Sequence, residues 1–560
     1  MKTKPIRFSQ SSIIILLTMF MSMVSTKAVA HDIEVKNSDG VTIYYNWIND
    51  HQNLAVTSQG SSQKYSGNVV IPESVEYEGK TYSVTEVDDY AFSSCKNLTS
   101  ITIPASVIFI GNDAFRNCTG LKSVHISDIA AWCKINFYLA ISYDNRGDMM
   151  ISGNSSNPLS SAHHLFLNGN EVKDLIIPDG VTSIHNIAFD GCNNLTSVTI
   201  TSNVNNIGYF AFRNCSSLTS LTIGNSVTTI NDYAFFGCSE LASITFPESI
   251  RYISESAFKK TAWHDNLPDG LVYTGLIAYK YKGTMPENTE VVLKDGTVSI
   301  GEWAFSGCSG MSSISIPNSV TSIGENAFQG CNSLTSVNIS DIAAWCDINF
   351  APHNVGGYSY CFSNPLRYAK HLYLNGEEIT DLTIPYGVTA ISNRAFIKFS
   401  GLTSVTIPNS VTEIGISAFR GCTNLMTITI GSGVTSIGGF AFAKDNGFYS
   451  RTRTDNDVLK VFCKAETVPE TNSYAFEGCN IDQGLLIVPD NAVAAYQAVA
   501  PWSGFGTISS ETDYSGIEGI NMNSVNARIY DLRGNHLENL HKGVNIIKKN
   551  NGTIKKVFVK

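Results

Sequence analysis

The chain has 560 residues, 43% hydrophobic and 15% charged, with a formal net charge of −10. The apolar fraction excludes a disordered chain. The weak acidic balance argues against nucleic acid or an anionic membrane as the main partner.

Lys2, Lys4 and Arg7 precede an apolar run from Ile13 to Val24, and Ala28-Val29-Ala30 comes after it. This is the pattern of a secretory signal peptide over residues 1–30, with His31 as the first mature residue. No cysteine ends the apolar run, so a lipoprotein anchor is not expected. No later stretch is long enough to be a transmembrane segment. Residues 31–88 are expected to form a β-rich N-terminal cap. Ile33 to Tyr45 reads as a hairpin turning at Asp39-Gly40, and a second turn falls near Glu78-Gly79. Such a cap covers a sheet edge that would otherwise stay open. Tyr44, Tyr45 and Trp47 are expected in its core.

From residue 89 to 508 one phrase repeats. Its cleanest copy is LTSVTIPNSVTEIGISAFRGC, Leu402 to Cys422. Its phenylalanine recurs at Phe92, Phe115, Phe189, Phe212, Phe235, Phe258, Phe305, Phe328, Phe396, Phe419, Phe442 and Phe476. Within uninterrupted runs, such as 189 to 212 to 235 to 258, the step is 23. A fixed period in the twenties predicts stacked coils of a solenoid. Leu402, Val405 and Ile407 give a strand with alternating faces. Pro408 stops it, Val411 and Ile414 form a second extended stretch closed by Gly415, and Ser417-Ala418-Phe419 fits one helical turn. Gly421 supplies the positive φ that returns the chain. Stacked at about 4.8 Å, the Leu, Val, Ile and Phe positions become continuous interior columns.

The string IPxSVTxIGxxAFxxCxxLTS resembles the BspA-like leucine-rich repeat, found mainly in bacterial surface proteins. The resemblance covers residues 85 to 480. It implies a right-handed, curved solenoid, mostly β with short helical turns, and adhesion or protein binding rather than catalysis.

Nine of the thirteen cysteines stand three residues after a repeat Phe: Cys95, Cys118, Cys192, Cys215, Cys238, Cys308, Cys331, Cys422 and Cys479. A buried column of small apolar side chains with weak S–H donors is the expected reading. Parallel Cβ vectors disfavour disulfides there. Thr261, Phe399 and Asp445 replace the sulfur in three copies.

Three insertions interrupt the coils, at about 127–174, 263–295 and 340–381. The first and third share SDIAAWC at Ser127 and Ser340, 213 residues apart, then Asn-Pro-Leu, then a hairpin turning at Asn168-Gly169 or Asn375-Gly376. Each is expected to be an elaborated coil whose short helix is capped by Ser127 or Asp128, and Ser340 or Asp341. The second carries LVYTGLIAYKY, a two-stranded element whose Tyr273, Tyr279 and Tyr281 lie at or near alternate positions. Projecting hairpins are where repeat proteins carry specificity, so these tyrosines are candidate binding residues. Arg146-Gly147-Asp148 in the first insertion matches a host-receptor tripeptide and is the other candidate. The hydroxyls of Thr99, Thr102, Thr196, Thr199, Thr219, Thr222, Thr403 and Thr406 line the strands and could bond a polymer or a protein loop.

Near the end, Leu485–Trp502 reads as a strand and a capping helix started by Asp490 or Asn491 and ended by Pro501. Residues 509–525 read as a linker. Residues 526–560 form a small β tail with six lysines and no acids in its last twenty residues. It resembles the C-terminal β-domains used for sorting or anchoring in type IX secretion.

No P-loop, G-x-S-x-G, H-E-x-x-H or EF-hand loop occurs. The His163-His164 pair has no carboxylates at ligand spacing. No catalytic residue, cofactor or metal is expected. The reading is a secreted, outer-membrane-associated protein that binds an extracellular or host surface protein or glycan. The alternatives are a structural surface protein without a dedicated ligand, or an enzyme with a site in an insertion.

Overall fold

The computed structural model describes residues 31–58, 60, 64–143, 149–152, 154–355, 358–360, 362–444 and 458–518, and four later strands between residues 527 and 559. Residues 1–30, expected to be a signal peptide, lie outside the described residues. The chain divides into two compact units, residues 1–282 with 354–358, and residues 283–353 with 359–560.

In the first unit, Ile33–Lys36, Thr42–Ile48 and Asn53–Thr57 form an antiparallel sheet. Asn53–Thr57 then pairs in parallel with Lys80–Val87, where the coils begin. Tyr45 is 1% exposed, Tyr44 is buried, and Trp47 packs at their margin. From there most described coils contribute one residue set to each of two parallel ladders. One ladder runs through Gly67–Val70, Leu98–Thr102, Ser123–Ile126 and Leu165–Leu167. It is then closed by the antiparallel strand Asn170–Glu171. A fresh ladder starts at Asp174–Ile176 and continues through Ser197–Thr199 and Ser220–Thr222. The second wall is built from two-residue strands, Ser183–Ile184, Asn206–Ile207, Thr229–Ile230 and Tyr252–Ile253. Their partners, such as Asn206 and Thr229, are 23 residues apart, so the sequence period is the register of the ladder.

The second unit repeats the scheme. Thr289–Val292, Met311–Ile316, Ser336–Ile339 and His371–Leu374 form a parallel ladder closed by Glu377–Glu378. A new one runs through Asp381–Thr383, Ser404–Ile407, Thr427–Ile430, Lys460–Cys463, Leu485–Val488 and Thr507–Ser510. The fold is therefore a repeat solenoid.

Three physical devices hold neighbouring coils together. The first is the phenylalanine column. Phe189, Phe212, Phe235 and Phe258 stack with centroids 5.1 to 5.2 Å apart and planes within 8°. Phe396, Phe419, Phe442 and Phe476 do the same at 5.2 to 5.5 Å. Each of these rings is at most 3% exposed. The second is a backbone ladder. The Phe N–H of one coil donates to the Ala carbonyl of the next, as from Phe212 to Ala234 at 2.7 Å. The third is a sulfhydryl ladder. Cys118, Cys238, Cys331 and Cys422 each donate from Sγ to the carbonyl of the Phe one coil earlier, at 3.1 to 3.2 Å. The coils also abut closely. A Cβ at Gly415 would lie 2.6 Å from Asn393 N and 2.7 Å from Ile391 O, so no side chain fits there. Gly421 adopts φ of 77°, the left-handed conformation its place after the helical turn calls for.

The twelve described cysteines are free thiols. Burial pushes the thiols of Cys118, Cys192 and Cys331 up to about 12. Because the thiolate is the reactive form, the folded protein at pH 8 is expected to resist iodoacetamide at these positions. Mass spectrometry should find them modified only after denaturant is added. Rapid labelling of the folded chain would contradict the column.

The segment read as a linker begins differently from that reading. Thr507–Ser510 ends a ladder and Glu511–Glu518 is a helix.

Candidate functional site

The two related insertions are each one degenerate coil. Ser123–Ile126 and Asn136–Phe137 take the two strand positions, with the helix Ile129–Lys134 between them. Asp128, not Ser127, caps that helix, accepting from Ala130 N at 2.6 Å and Ala131 N at 3.1 Å. Asp341 does the same for Ile342–Asp347. The Phe115 N–H donates to Ser155 O, where a normal coil would offer an alanine. The loss of a true coil leaves the next coil's Ala188 carbonyl without its usual backbone donor. Two side chains supply it. Trp132 Nε1 donates to Ala188 O at 2.8 Å, and Asn157 Nδ2 donates to Ala188 O and Ile187 O. Asn157 Oδ1 accepts from Leu159 N at 2.9 Å. In the second unit, Trp345 and Asn364 make the same bonds to Ala395 O and Arg394 O, at 2.9 Å each. Both Trp rings and both Asn side chains are at most 1% exposed. Sequence comparison of the insertions shows these residues as shared, but their role depends on a coil some thirty residues or more downstream. The hairpins beyond them turn with positive φ at Asn168, Gly169, Asn375 and Gly376, as the Asn-Gly pairs predict.

Each restarted ladder opens on an aspartate. Asp174 accepts from Ser197 Oγ at 2.6 Å and Thr196 Oγ1 at 3.2 Å. Asp381 accepts from Ser404 Oγ at 2.6 Å and Thr403 Oγ1 at 2.9 Å, which holds its carboxyl below the usual range. His163 and His164 do not converge. His163 Nδ1 meets Gly191 O at 2.8 Å and His164 Nδ1 meets Glu171 Oε1 at 2.6 Å. Among the described residues no group of three His, Cys, Asp or Glu is placed to hold a metal.

Arg146, Gly147 and Asp148 lie outside the described residues. The hairpin Gly270–Thr274 with Ile277–Lys282 is described, and it separates the three tyrosines. Val272 pairs with Lys280 but Tyr273 pairs with Ala278, so the strand carries an extra residue at Tyr279. This bulge breaks the alternation. It turns Tyr279 into the core, 2% exposed and 5.8 Å from the Trp263 ring. Tyr279 is therefore packing, not a docking residue. Tyr273 and Tyr281 share one face and stay half-exposed. Lys280 Nζ reaches Glu255 Oε1 at 3.0 Å, and Lys282 Nζ donates to Asp265 O at 2.6 Å, fixing the hairpin to the coil beneath. Burial opposes ionisation of Glu255, but Lys259 and Lys280 outweigh it and hold the carboxyl below its ordinary value.

The threonine ladder divides in two. Thr196, Thr219 and Thr403 donate to carbonyls of the preceding coil at 3.1 to 3.2 Å, and Thr99 donates to Asn68 Oδ1. Those four hydroxyls serve the scaffold. Thr222 and Thr406 point outward and are exposed, with Thr102 and Thr199 half-exposed.

Among solved structures, the chain is similar to a leucine-rich repeat protein from Bacteroides ovatus, at 21% identity over 83% of this chain and 98% of that one, with a TM-score of 0.28. It is similar to a leucine rich cell surface protein from Faecalibacterium prausnitzii, at 22% identity over 86% and 95%, TM-score 0.25. The pneumococcal vaccine antigen PcpA matches at 14% identity over 86% and 99%, TM-score 0.26. No curated protein matches the chain. The family model described as the BspA type leucine rich repeat region matches residues 78–139, 162–268, 277–351 and 368–486, in six copies. The chain belongs to the BspA-type leucine-rich repeat family.

Proposed function

We propose that this is a secreted, surface-attached protein that binds an extracellular protein or glycan and does no catalysis. Family membership and the pattern of residues 1–30 support the location. The observation that carries the binding reading is the anchored hairpin at 270–282. Two tyrosines share one half-exposed face there, on an element braced by Lys280 and Lys282. Tyrosine suits such a role because it offers a large rigid face with a polar end. The coils supply rigidity and length. The Arg146-Gly147-Asp148 segment is a separate candidate, and the exposed Thr222 and Thr406 hydroxyls of the coils are the alternative location for recognition. The basic tail serves sorting or attachment. A second reading, a structural surface protein without a dedicated ligand, draws support from the threonine hydroxyls already committed to the scaffold.

The test is binding of the chain to arrays of matrix proteins and glycans at two salt concentrations. A saturable hit that survives the higher salt is expected. No hit at micromolar protein would favour the structural reading.

A further inference from the structure

The net charge of −10 conceals a segregation. Residues 31–525 hold 26 Lys and Arg against 46 Asp and Glu, whereas residues 526–560 hold eight against two. The two parts therefore carry −20 and +6. The basic part is a four-stranded antiparallel sheet in the order His536–Leu537, Ala527–Tyr530, Gly543–Lys549, Ile554–Val559.

The backbone register gathers the cations at one end of that sheet. Arg528 stands opposite Lys548, Ala527 opposite Lys549, Ile547 opposite Lys555 and Ile546 opposite Lys556. Of these pairs Arg528 and Lys548 are like charges directly opposite, an arrangement that destabilises a sheet. No acidic residue occupies a paired position there, so nothing in the sheet's own register offsets that cost. The register also puts Val544, Ile546 and Phe558 on the face that carries Arg528, Lys548 and Lys556. With Ile554 on it as well, that face carries apolar and basic positions together.

We propose that this sheet docks on an anionic lipid surface. Clustered lysines are drawn to negatively charged headgroups, and neighbouring apolar residues add burial at the headgroup boundary. A soluble polyanion would use the charges but not the apolar positions of the face. The −20 carried by the rest of the chain is repelled by the same surface, so the two charge signs orient the molecule with its coils held off the lipid. The overall acidic balance argues against an anionic membrane only if the charge is evenly spread, and it is not. This proposal does not depend on what the coils bind.

The experiment is co-sedimentation of the full chain from His31 with phosphatidylcholine vesicles, with and without phosphatidylglycerol. Low and high salt are compared, alongside a variant with Arg528, Lys548 and Lys556 changed to Gln. Binding is expected only to the phosphatidylglycerol vesicles, weakened by salt and reduced roughly tenfold or more in the variant. The variant's thermal unfolding above residue 31 should match the parent's, which separates lost docking from lost folding. Absence of binding at low salt, equal binding to both vesicle types, or undiminished binding by the variant would overturn the proposal. So would displacement of the bound protein by heparin or nucleic acid at a lower concentration than by phosphatidylglycerol.

Discussion

Phe419→Ala will lower the stability of the second unit by about 3–5 kcal/mol. The ring is 1% exposed, with Phe396 stacked 5.2 Å to one side and Phe442 5.4 Å to the other. Its removal leaves a void, and Phe442 is already held on its far side by Phe476, 5.5 Å away. The backbone pins the site as well, since Phe419 N donates to Ala441 O and Phe396 N to Ala418 O at 2.7 Å. Coils in a solenoid depend on nearest neighbours, so the loss will be concentrated there. Denaturant unfolding should register the change in midpoint. Hydrogen exchange should find faster opening across Ser404–Ile407 and Thr427–Ile430 than at the start of the unit. A midpoint like that of the parent would mean that the ring does not support the column.

Asn364→Leu is expected to cost on the order of 3 kcal/mol, although volume and burial are nearly kept. Asn364 is fully buried, donates to Arg394 O and Ala395 O, and accepts from Leu366 N. Leucine leaves the Leu366 N–H without its Asn364 acceptor and removes one donor from the Arg394 carbonyl, which keeps Ile397 N at 3.2 Å. Ala395 O keeps Trp345 Nε1 at 2.9 Å. Combining Asn364→Leu with Trp345→Phe removes that last donor, so the double variant should lose more than the sum of the two single changes. Asn157→Leu should behave in the same way in the first unit, where Asn157 and Trp132 hold Ala188 O. Thermal melting of the four variants checks all of this. An Asn364→Leu variant as stable as the parent would show that the insertion joins the next coil by packing alone.

These two positions differ in how far the sequence discloses them. The phenylalanine column is legible from the period alone, because a step of 23 residues is also the strand register. The inward cysteines share the same phase. The Trp–Asn latch is not legible, since its acceptors lie 30 to 56 residues away. Tyr279 is misplaced by its sequence position because one extra residue in a strand reverses every later side chain, and composition does not reveal a bulge. Asp490 is expected from sequence to start the helix Val493–Ala498, yet that helix has Ala492 at its start and no side-chain cap. Asp490 instead accepts from Thr512 N at 3.0 Å and from its hydroxyl. It thereby serves the helix Glu511–Glu518, whose Tyr514 packs on Phe462. The Ser-, Asn- and Gly-rich stretch 509–525 around it hides the helix, because tertiary partners rather than propensity hold it.

The central claim is that the coils are a scaffold and that recognition sits on what projects from them. The most direct measurement compares the affinity of the parent, Tyr273→Ser/Tyr281→Ser and Arg146→Ala/Asp148→Glu for immobilised fibronectin, collagen, laminin and mucin, with melting followed in parallel. Loss of roughly tenfold or more in one of the two variants, with unchanged melting, is the predicted result. Saturable binding that neither variant weakens would place recognition on the coils themselves and contradict the account.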